Sequence, residues 1–325
     1  MEWTSGQTRR AFGVFAWLVL AYNIPVILWG AYVRVSFSGD GCGAHWPFCN
    51  GEVIPRNMAT PMAIEFTHRM MTGLDSVAVI ALCVWAFLSF PRRHAVRLFS
   101  SLSLGFLLVE ALLGAGLVLL RYVAHDQSAG RAFYLSAHLT NTMLLLAALA
   151  ITAWLVYAGA DRIRWPGISR RLWGAALAVV AVSITGAVAA LGDTLFPASS
   201  LALGMQRDFS SASSLLLRLR LIHPFLAVAG AGYLIWVAVL LLRGTDEEPR
   251  RRAPARVITL TLLQLAVGAV NITLLAPVWM QLVHLFMADI LWIAVVLMVM
   301  EAGRPERLKI SPPGASYAAL RGGAL

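Results

Sequence analysis

Eight long apolar segments limit the folds that this chain can adopt. They lie near residues 12–35, 62–90, 96–121, 130–158, 170–191, 215–242, 256–276 and 278–301. Each is long enough to cross the hydrocarbon core of a bilayer, about 30 Å, as an α-helix. With 59% hydrophobic and 13% charged residues, the 325-residue chain does not have the composition of a soluble domain. The sequence therefore predicts an all-α integral membrane protein with eight transmembrane helices.

The net charge of +10 is concentrated in loops on one side of the predicted membrane. If both termini are cytoplasmic, the inner loops contain Arg9-Arg10, Arg92-Arg93, Arg170-Arg171 and Arg250-Arg251-Arg252. An excess of basic residues in short cytoplasmic loops is the positive-inside pattern. The charge therefore predicts orientation in a cell inner (plasma) membrane with both termini cytoplasmic, and no nucleic-acid partner.

The two halves of the chain repeat the same features in the same order. The matching features are Gly30-Ala31 with Gly186-Ala187, His68 with His223, Glu110 with Gln264, Gly114-Ala115 with Gly268-Ala269, and His138 with His284. Their separations fall slowly from 156 to 146 positions. Parallel repeats are a known membrane architecture, although small residues recur at helix contacts by chance as well. We predict two tandem pseudo-symmetric four-helix bundles, residues 1–165 and residues 166–325, the second ending in a cytoplasmic tail.

Four histidines lie inside the apolar segments as two pairs, His68 with His138 and His223 with His284. An imidazole in a bilayer is costly unless it is bonded to something, and two facing imidazoles can hold a haem iron from both sides. Because the even-numbered segments all run from outside to inside, the four imidazoles are expected at one depth in the outer half. The pattern predicts one haem site in each half. A hydrogen bond to a backbone carbonyl is the alternative for any single histidine.

Several arginines near the outer helix ends run against the positive-inside trend. They are Arg34, Arg69, Arg121, Arg131, Arg218 and Arg220. Arginine pairs well with carboxylates, so these side chains are candidate contacts for the haem propionates. Ordinary snorkelling of the side chain to the interface is an equally good explanation for any one of them.

Glu65 lies one helical turn before His68, so both side chains point the same way. Its counterpart in the second half is Arg220, which can be neither a metal ligand nor a base and thereby excludes a di-iron site. A carboxylate beside a haem can move protons, which favours the first half as the reactive one and Glu65 as the catalytic residue. Further intramembrane acids, either proton relays or helix–helix hydrogen bonds, are Asp75, Glu110 and Asp289.

Cys42 and Cys49 share one outward loop. Their spacing is too wide for a Cys-x-x-Cys redox motif, and disulfides persist on the outer side of a membrane. A structural disulfide is the favoured interpretation, and redox exchange stays open.

Several stretches of the chain are similar to the haem A synthase family. They are Gly30-Ala31-Tyr32-Val33-Arg34, Gly41-Cys42 followed by Trp46-Pro47-Phe48-Cys49-Asn50-Gly51, Glu65-Phe66-Thr67-His68-Arg69, Gly192 to Ala198, and His223-Pro224. The resemblance implies an eight-helix membrane enzyme that oxidises a porphyrin methyl of haem O to a formyl, by successive hydroxylations with water as the oxygen source. It also implies haem O synthase as a partner and an unknown electron acceptor in the membrane, and a homo-oligomer is left open.

The resemblance also distributes the residues between two sites. His68 and His138 match ligands of the substrate haem, and His223 and His284 match ligands of a haem b. Glu65 matches a functionally important glutamate, and Cys42 and Cys49 match paired cysteines. The main alternative is a di-haem b-type electron-transfer protein, such as a quinol oxidoreductase. It explains the paired histidines but neither the lone Glu65 nor the cysteine loop.

Overall fold

The computed structural model describes residues 6–165, 168–208, 215–244 and 248–304, and these residues form α-helices and no β-strand. The helices are α1 (Gly6–Val35), α2 (Thr60–Ser89), α3 (Ala95–Leu119), α4 (Ala129–Ala158), α5 (Arg170–Leu195), α6 (Leu201–Asp208), α7 (Leu215–Arg243), α8 (Glu248–Thr273) and α9 (Val278–Ala302). All except α6 are long and apolar enough to cross a membrane. The protein is therefore an all-α, multi-pass membrane protein, as predicted.

The helix ends follow local sequence signals. Ser128 and Ser169 cap α4 and α5, each accepting a hydrogen bond from a backbone N–H in the first turn. Gly159 ends α4 in the left-handed conformation, with φ of 64°, which glycine adopts without a steric cost. The short helix α6 was not predicted, because it lies in a polar loop that hydropathy cannot resolve.

Each half of the chain forms a ring of four helices. In the first ring α1 and α3 each pack against both α2 and α4, and in the second ring α5 and α8 each pack against both α7 and α9. The histidine-bearing helices are thus diagonal neighbours, α2 with α4 and α7 with α9. The two rings meet where α4 packs against α5 and α9, and where α1 packs against α9.

The predicted boundary between the halves, near residue 165, stays a prediction. Residues 166–167 at that boundary and the tail 305–325 lie outside the described residues.

The apolar core lies toward the end of the molecule opposite the cysteine loop, here called the opposite end. It includes Phe12, Leu82, Leu155 and Val295, which are fully buried and come from four different helices. Helix α4 is the most buried span because it packs against both rings. Since lipid chains are as apolar as leucine, close packing rather than the hydrophobic effect holds these helices together. Polar side chains lie at the other end, which carries the cysteine loop and is here called the cysteine end.

Candidate haem sites

The four intramembrane histidines lie at one depth near the cysteine end. Each falls within about the first three turns of its helix, and α2, α4, α7 and α9 all begin at the cysteine end. His68 is within electrostatic range of His138, and His284 is within range of His223. The structure therefore brings together the two pairs that the sequence predicted, one across the diagonal of each ring.

Each imidazole packs against a glycine of a neighbouring helix. A Cβ built on the glycine would lie 2.9 Å from the nearest ring atom for Gly30 and His68, 3.0 Å for Gly186 and His223, 3.5 Å for Gly114 and His138, and 3.0 Å for Gly268 and His284. Three of the four distances are shorter than normal contacts of a Cβ allow, so a larger residue would displace the ring. The repeated Gly-Ala pairs in the sequence thus mark the positions that receive the histidine rings.

In the first ring a carboxylate holds one histidine in place. The Nδ1 atom of His138 lies 2.8 Å from Oε1 of Glu110. Asn141 Nδ2 donates to Glu110 at 2.6 Å, and the hydroxyl of Thr142 donates to the same carboxylate. Glu110 therefore links α3 to α4 through His138, Asn141 and Thr142, and its part in proton transfer stays a prediction.

In the second ring the corresponding contact is made by an amide. Gln264 Nε2 lies 3.4 Å from the Nε2 atom of His284 and donates to the backbone carbonyl of His284 at 3.2 Å. His223 Nδ1 lies 3.1 Å from the hydroxyl of Thr185. Among the described residues of the second ring, the side chains that contact these histidines are therefore neutral.

Two of the imidazoles carry a buried nitrogen without a hydrogen-bond partner, Nδ1 of His68 and Nδ1 of His284. An unsatisfied polar atom in apolar surroundings costs about 1–3 kcal/mol, so these buried nitrogens fit a role in binding a further group. Among the described residues, no cluster of three or more His, Cys, Asp or Glu could hold a bare metal ion. Two imidazoles and an apolar space fit an iron porphyrin better than zinc or copper.

Glu65 is buried, with 3% of its surface exposed, and it anchors the loop that follows α1. Its Oε2 accepts a hydrogen bond of 2.8 Å from the backbone N–H of Cys42, and its Oε1 pairs with Arg69 at 2.5 Å. Arg69 in turn donates to the carbonyls of His45 and Phe48, both at 2.9 Å. The glutamate beside His68 is thus joined to the cysteine loop, a contact that the sequence did not reveal.

Cys42 and Cys49 form a disulfide within this loop, as predicted, and both are almost fully buried. The loop closes further through the backbone N–H of Asn50, which donates to the carbonyl of Cys42 at 3.1 Å. The covalent bond therefore fixes the segment from which the N–H of Cys42 reaches Glu65.

Arg220, the counterpart of Glu65, also anchors a loop. It pairs with Asp193 at 3.0 Å and with Asp208 at 2.5 Å, and Asp208 ends the short helix α6. Glu65 and Arg220, each three residues before the first histidine of its ring, therefore both bind the loop that follows the first helix of that ring. The anchoring group differs, since it is a carboxylate in the first ring and a guanidinium in the second.

The other arginines proposed as propionate contacts have varied surroundings. Arg34 donates to the carbonyl of Ala190 at 2.7 Å and to Thr194 at 2.9 Å, so it reaches from α1 into the second ring. Arg131 is buried, donates to two loop carbonyls, and keeps its Nε without a partner. Arg121 and Arg218 are exposed. Contact with propionates stays a prediction for all six.

The remaining intramembrane acids differ in their contacts. Asp75 accepts a hydrogen bond of 2.9 Å from Asn23, which links α1 to α2 and accounts for its burial. Asp289 on α9 is buried, and its Oδ2 has no hydrogen-bond partner. Asp75 thus serves a helix–helix hydrogen bond, whereas the contacts of Asp289 do not assign it a role.

An apolar cavity of about 540 Å³ lies among α3, α4 and α5, beside the Glu110–His138 pair. Its wall includes Val109, Leu113, Phe133, Leu144 and Ile184, together with Asn141, which donates to Glu110.

The sequence is similar to several known proteins. A family model described as COX15-CtaA, cytochrome oxidase assembly protein, matches residues 13–296. A protoheme IX farnesyltransferase of Thermus thermophilus is 42% identical over 290 residues, which are 89% of this chain and 48% of that protein. A heme A synthase of Exiguobacterium is 32% identical over 55% of this chain and 58% of its own length. One of Lysinibacillus sphaericus is 32% identical over 46% and 47%. The chain spans about half the length of these relatives.

Proposed function

Because this chain belongs to the COX15-CtaA family of cytochrome oxidase assembly proteins, we propose that it is a haem A synthase, a membrane oxidoreductase that converts haem O to haem A. The observation that carries the proposal is two matching histidine pairs, of which only one has carboxylates beside it. Oxidation of a methyl to a formyl consumes one water and releases four electrons and four protons. The reaction therefore needs an electron acceptor, which we expect in the membrane.

We propose that His223 and His284 hold a haem b, and that His68 and His138 bind haem O as the substrate. The neutral Gln264 and Thr185 around the second pair suit a stably bound cofactor, whereas Glu65 and Glu110 around the first pair suit a site that handles protons. When bound, haem b supplies a redox centre that can pass electrons onward. The N-terminal half, residues 1–165, would then be the substrate domain.

Glu110 determines which nitrogen of His138 faces the substrate. Its carboxylate accepts the proton of Nδ1 in a hydrogen bond, which leaves Nε2 free to bind iron. Asn141 and Thr142 hold the carboxylate in turn, so the imidazole is fixed before the substrate arrives. A carboxylate bonded in this way also makes the imidazole a stronger electron donor to iron.

Glu65 is the group that we propose receives protons as the methyl is oxidised. It is buried one helical turn from His68, and an acceptor of this kind accelerates proton transfer by about 10²–10⁴-fold. Its bonds to the Cys42 N–H and to Arg69 hold the carboxylate in a single position. The same bonds, with those from Arg69 to the carbonyls of His45 and Phe48, hold the cysteine loop against this end of α2.

The apolar cavity beside Asn141 is the place that we propose for the apolar side chain of haem O. The relative named protoheme IX farnesyltransferase indicates that a farnesyl chain is attached to protohaem in the related chemistry. A cavity lined by Leu113, Phe133 and Ile184, next to His138, suits such a chain.

We also propose a location and partners. The arginine-rich loops at the opposite end are typical of a cytoplasmic surface, which supports an orientation in a plasma membrane with both termini in the cytoplasm and the cysteine loop outside. A haem O synthase is the partner that would supply the substrate, and self-association is compatible with the fold.

Feeding the substrate tests the proposal. The chain is expressed with and without a source of haem O, and haems are extracted and identified by mass. We expect haem A only when haem O is supplied, together with a b-type haem in both cases. A protein that carries two b-type haems and never yields haem A would support the di-haem electron carrier instead.

A further inference from the structure

A second cavity lies at the opposite end, where the turn between α2 and α3 meets the loop between α4 and α5. Its volume is about 760 Å³. The two loops are joined there by the backbone N–H of Ala95, which donates to the carbonyl of Asp161 at 2.8 Å. The cavity is therefore formed by folded backbone on both sides and is remote from the histidine pairs.

The lining of the cavity carries positive charge. Four arginines line it, Arg92, Arg93, Arg97 and Arg162, and no acidic side chain does. Within the part of the chain that the structure describes, Arg92, Arg93 and Arg162 form no ion pair, and Nε of Arg97 is buried without a partner. Burial lowers the pKa of His94, which also lines the cavity, so the charge at neutral pH comes from the arginines.

The rest of the lining is apolar and reaches the lipid-facing surface. Phe87 and Leu98 line the cavity, and their exposed fractions are 48% and 56% on spans that face lipid. Trp165 lies against Phe99 and stacks with Trp173, as aromatic side chains do at the boundary between lipid and water. The cavity thus joins a cationic pocket to an apolar wall at the membrane surface.

We propose that this cavity binds the headgroup of an anionic phospholipid. The phosphate would pair with the arginines, since guanidinium groups bind phosphate through two hydrogen bonds, and the acyl chains would lie along Phe87 and Leu98. Orientation by the positive-inside pattern needs basic residues in these loops, but it does not need four of them around one cavity. The site is independent of the haem chemistry proposed above.

Two triple variants separate this site from general surface charge. Arg92→Gln/Arg93→Gln/Arg162→Gln removes three exposed cavity charges that have no ion pair. Arg170→Gln/Arg243→Gln/Arg256→Gln removes three exposed charges elsewhere at the opposite end. Binding of phosphatidylglycerol and of phosphatidylcholine to the delipidated protein is measured by native mass spectrometry. We expect the cavity variant to bind phosphatidylglycerol at least about ten-fold more weakly, and the control to bind as the unmodified chain does.

A second measurement needs no change of charge. Phosphatidylglycerol with brominated acyl chains should quench part of the tryptophan fluorescence of the unmodified protein, and Trp165→Phe should remove that part. The proposal would be overturned if the two lipids bound equally well, or if the two triple variants lost the same amount of binding. It would also be overturned if inorganic phosphate bound as well as the lipid and displaced it, because the site would then be a phosphate site.

Discussion

The two rings share a framework but differ in the residues around their histidines. Both place two imidazoles across a diagonal, and both seat each imidazole against a glycine. They differ where Glu110 is matched by Gln264, and where Glu65 is matched by Arg220. On the proposed function, the repeated residues hold a haem in each ring and the unrepeated ones determine its chemistry. The duplicated scaffold would then hold one haem as a cofactor and the other as a substrate.

The largest expected effect comes from removing the histidines. His223→Ala or His284→Ala should strip the stably bound haem, because the second ring then offers a single axial ligand. His68→Ala should leave that haem bound and abolish formation of haem A. Absorbance spectra of the purified variants and haem extraction measure both outcomes. Loss of the stable haem from His68→Ala alone would reverse the assignment of the rings.

Glu65→Gln should lower the rate of haem A formation by about 10²-fold or more while haem b content stays normal. Glutamine still accepts the N–H of Cys42 but cannot take up a proton at neutral pH. Haem O or a hydroxylated intermediate should accumulate, as detected by mass analysis of extracted haems.

Arg69→Gln is the matched control, because it breaks the same ion pair and keeps the carboxylate. If both variants lose activity equally, Glu65 serves only to anchor the loop. A normal rate in Glu65→Gln would remove its catalytic role altogether.

Exchanging the supports of the histidines tests the asymmetry more finely. Glu110→Gln should weaken binding of haem in the first ring by about 10–100-fold, the usual effect of losing such a support. Binding is followed by titration with haem, and ¹⁵N shifts of His138 in the haem-free protein report which ring nitrogen carries the proton. The reciprocal Gln264→Glu should lower the reduction potential of the haem in the second ring. Unchanged ¹⁵N shifts in Glu110→Gln would show that the carboxylate does not position His138.

The smallest effect is expected from the glycines that receive the imidazoles. Gly30→Ala and Gly186→Ala should each reduce haem occupancy several-fold, because the new methyl meets the ring at about 3 Å. Gly73→Ala and Gly105→Ala are matched controls, since a Cβ there meets nothing within 4 Å. The controls should leave occupancy unchanged and raise helix stability slightly. Equal losses in both pairs would mean that the glycines serve helix packing alone.

Much of this arrangement could be predicted from local sequence. The eight spans follow from apolar length, and the common depth of the histidines follows from counting the spans between them. The recurrence of Gly-Ala pairs indicated a repeat, but the sequence did not indicate that the histidine rings pack against these glycines. What was missed depends on loop conformation. Three features were missed: the bond from the Cys42 N–H to Glu65, the pairing of Arg220 with Asp208, and the helix α6. All of them involve polar loop residues, and loops have no periodic sequence pattern from which such contacts could be predicted.

The contact between Arg34 and Ala190 bears on how such a chain could have arisen. The same 156-position offset that relates Gly30 to Gly186 relates Arg34 to Ala190, so the arginine donates to the backbone of its own counterpart. In a symmetric pair of separate four-helix proteins, two arginines would meet there and repel each other. In a single polypeptide the first half can have an arginine at this position while the second half has an alanine. A single chain can therefore place one arginine at this contact, an asymmetry that two identical halves could not have.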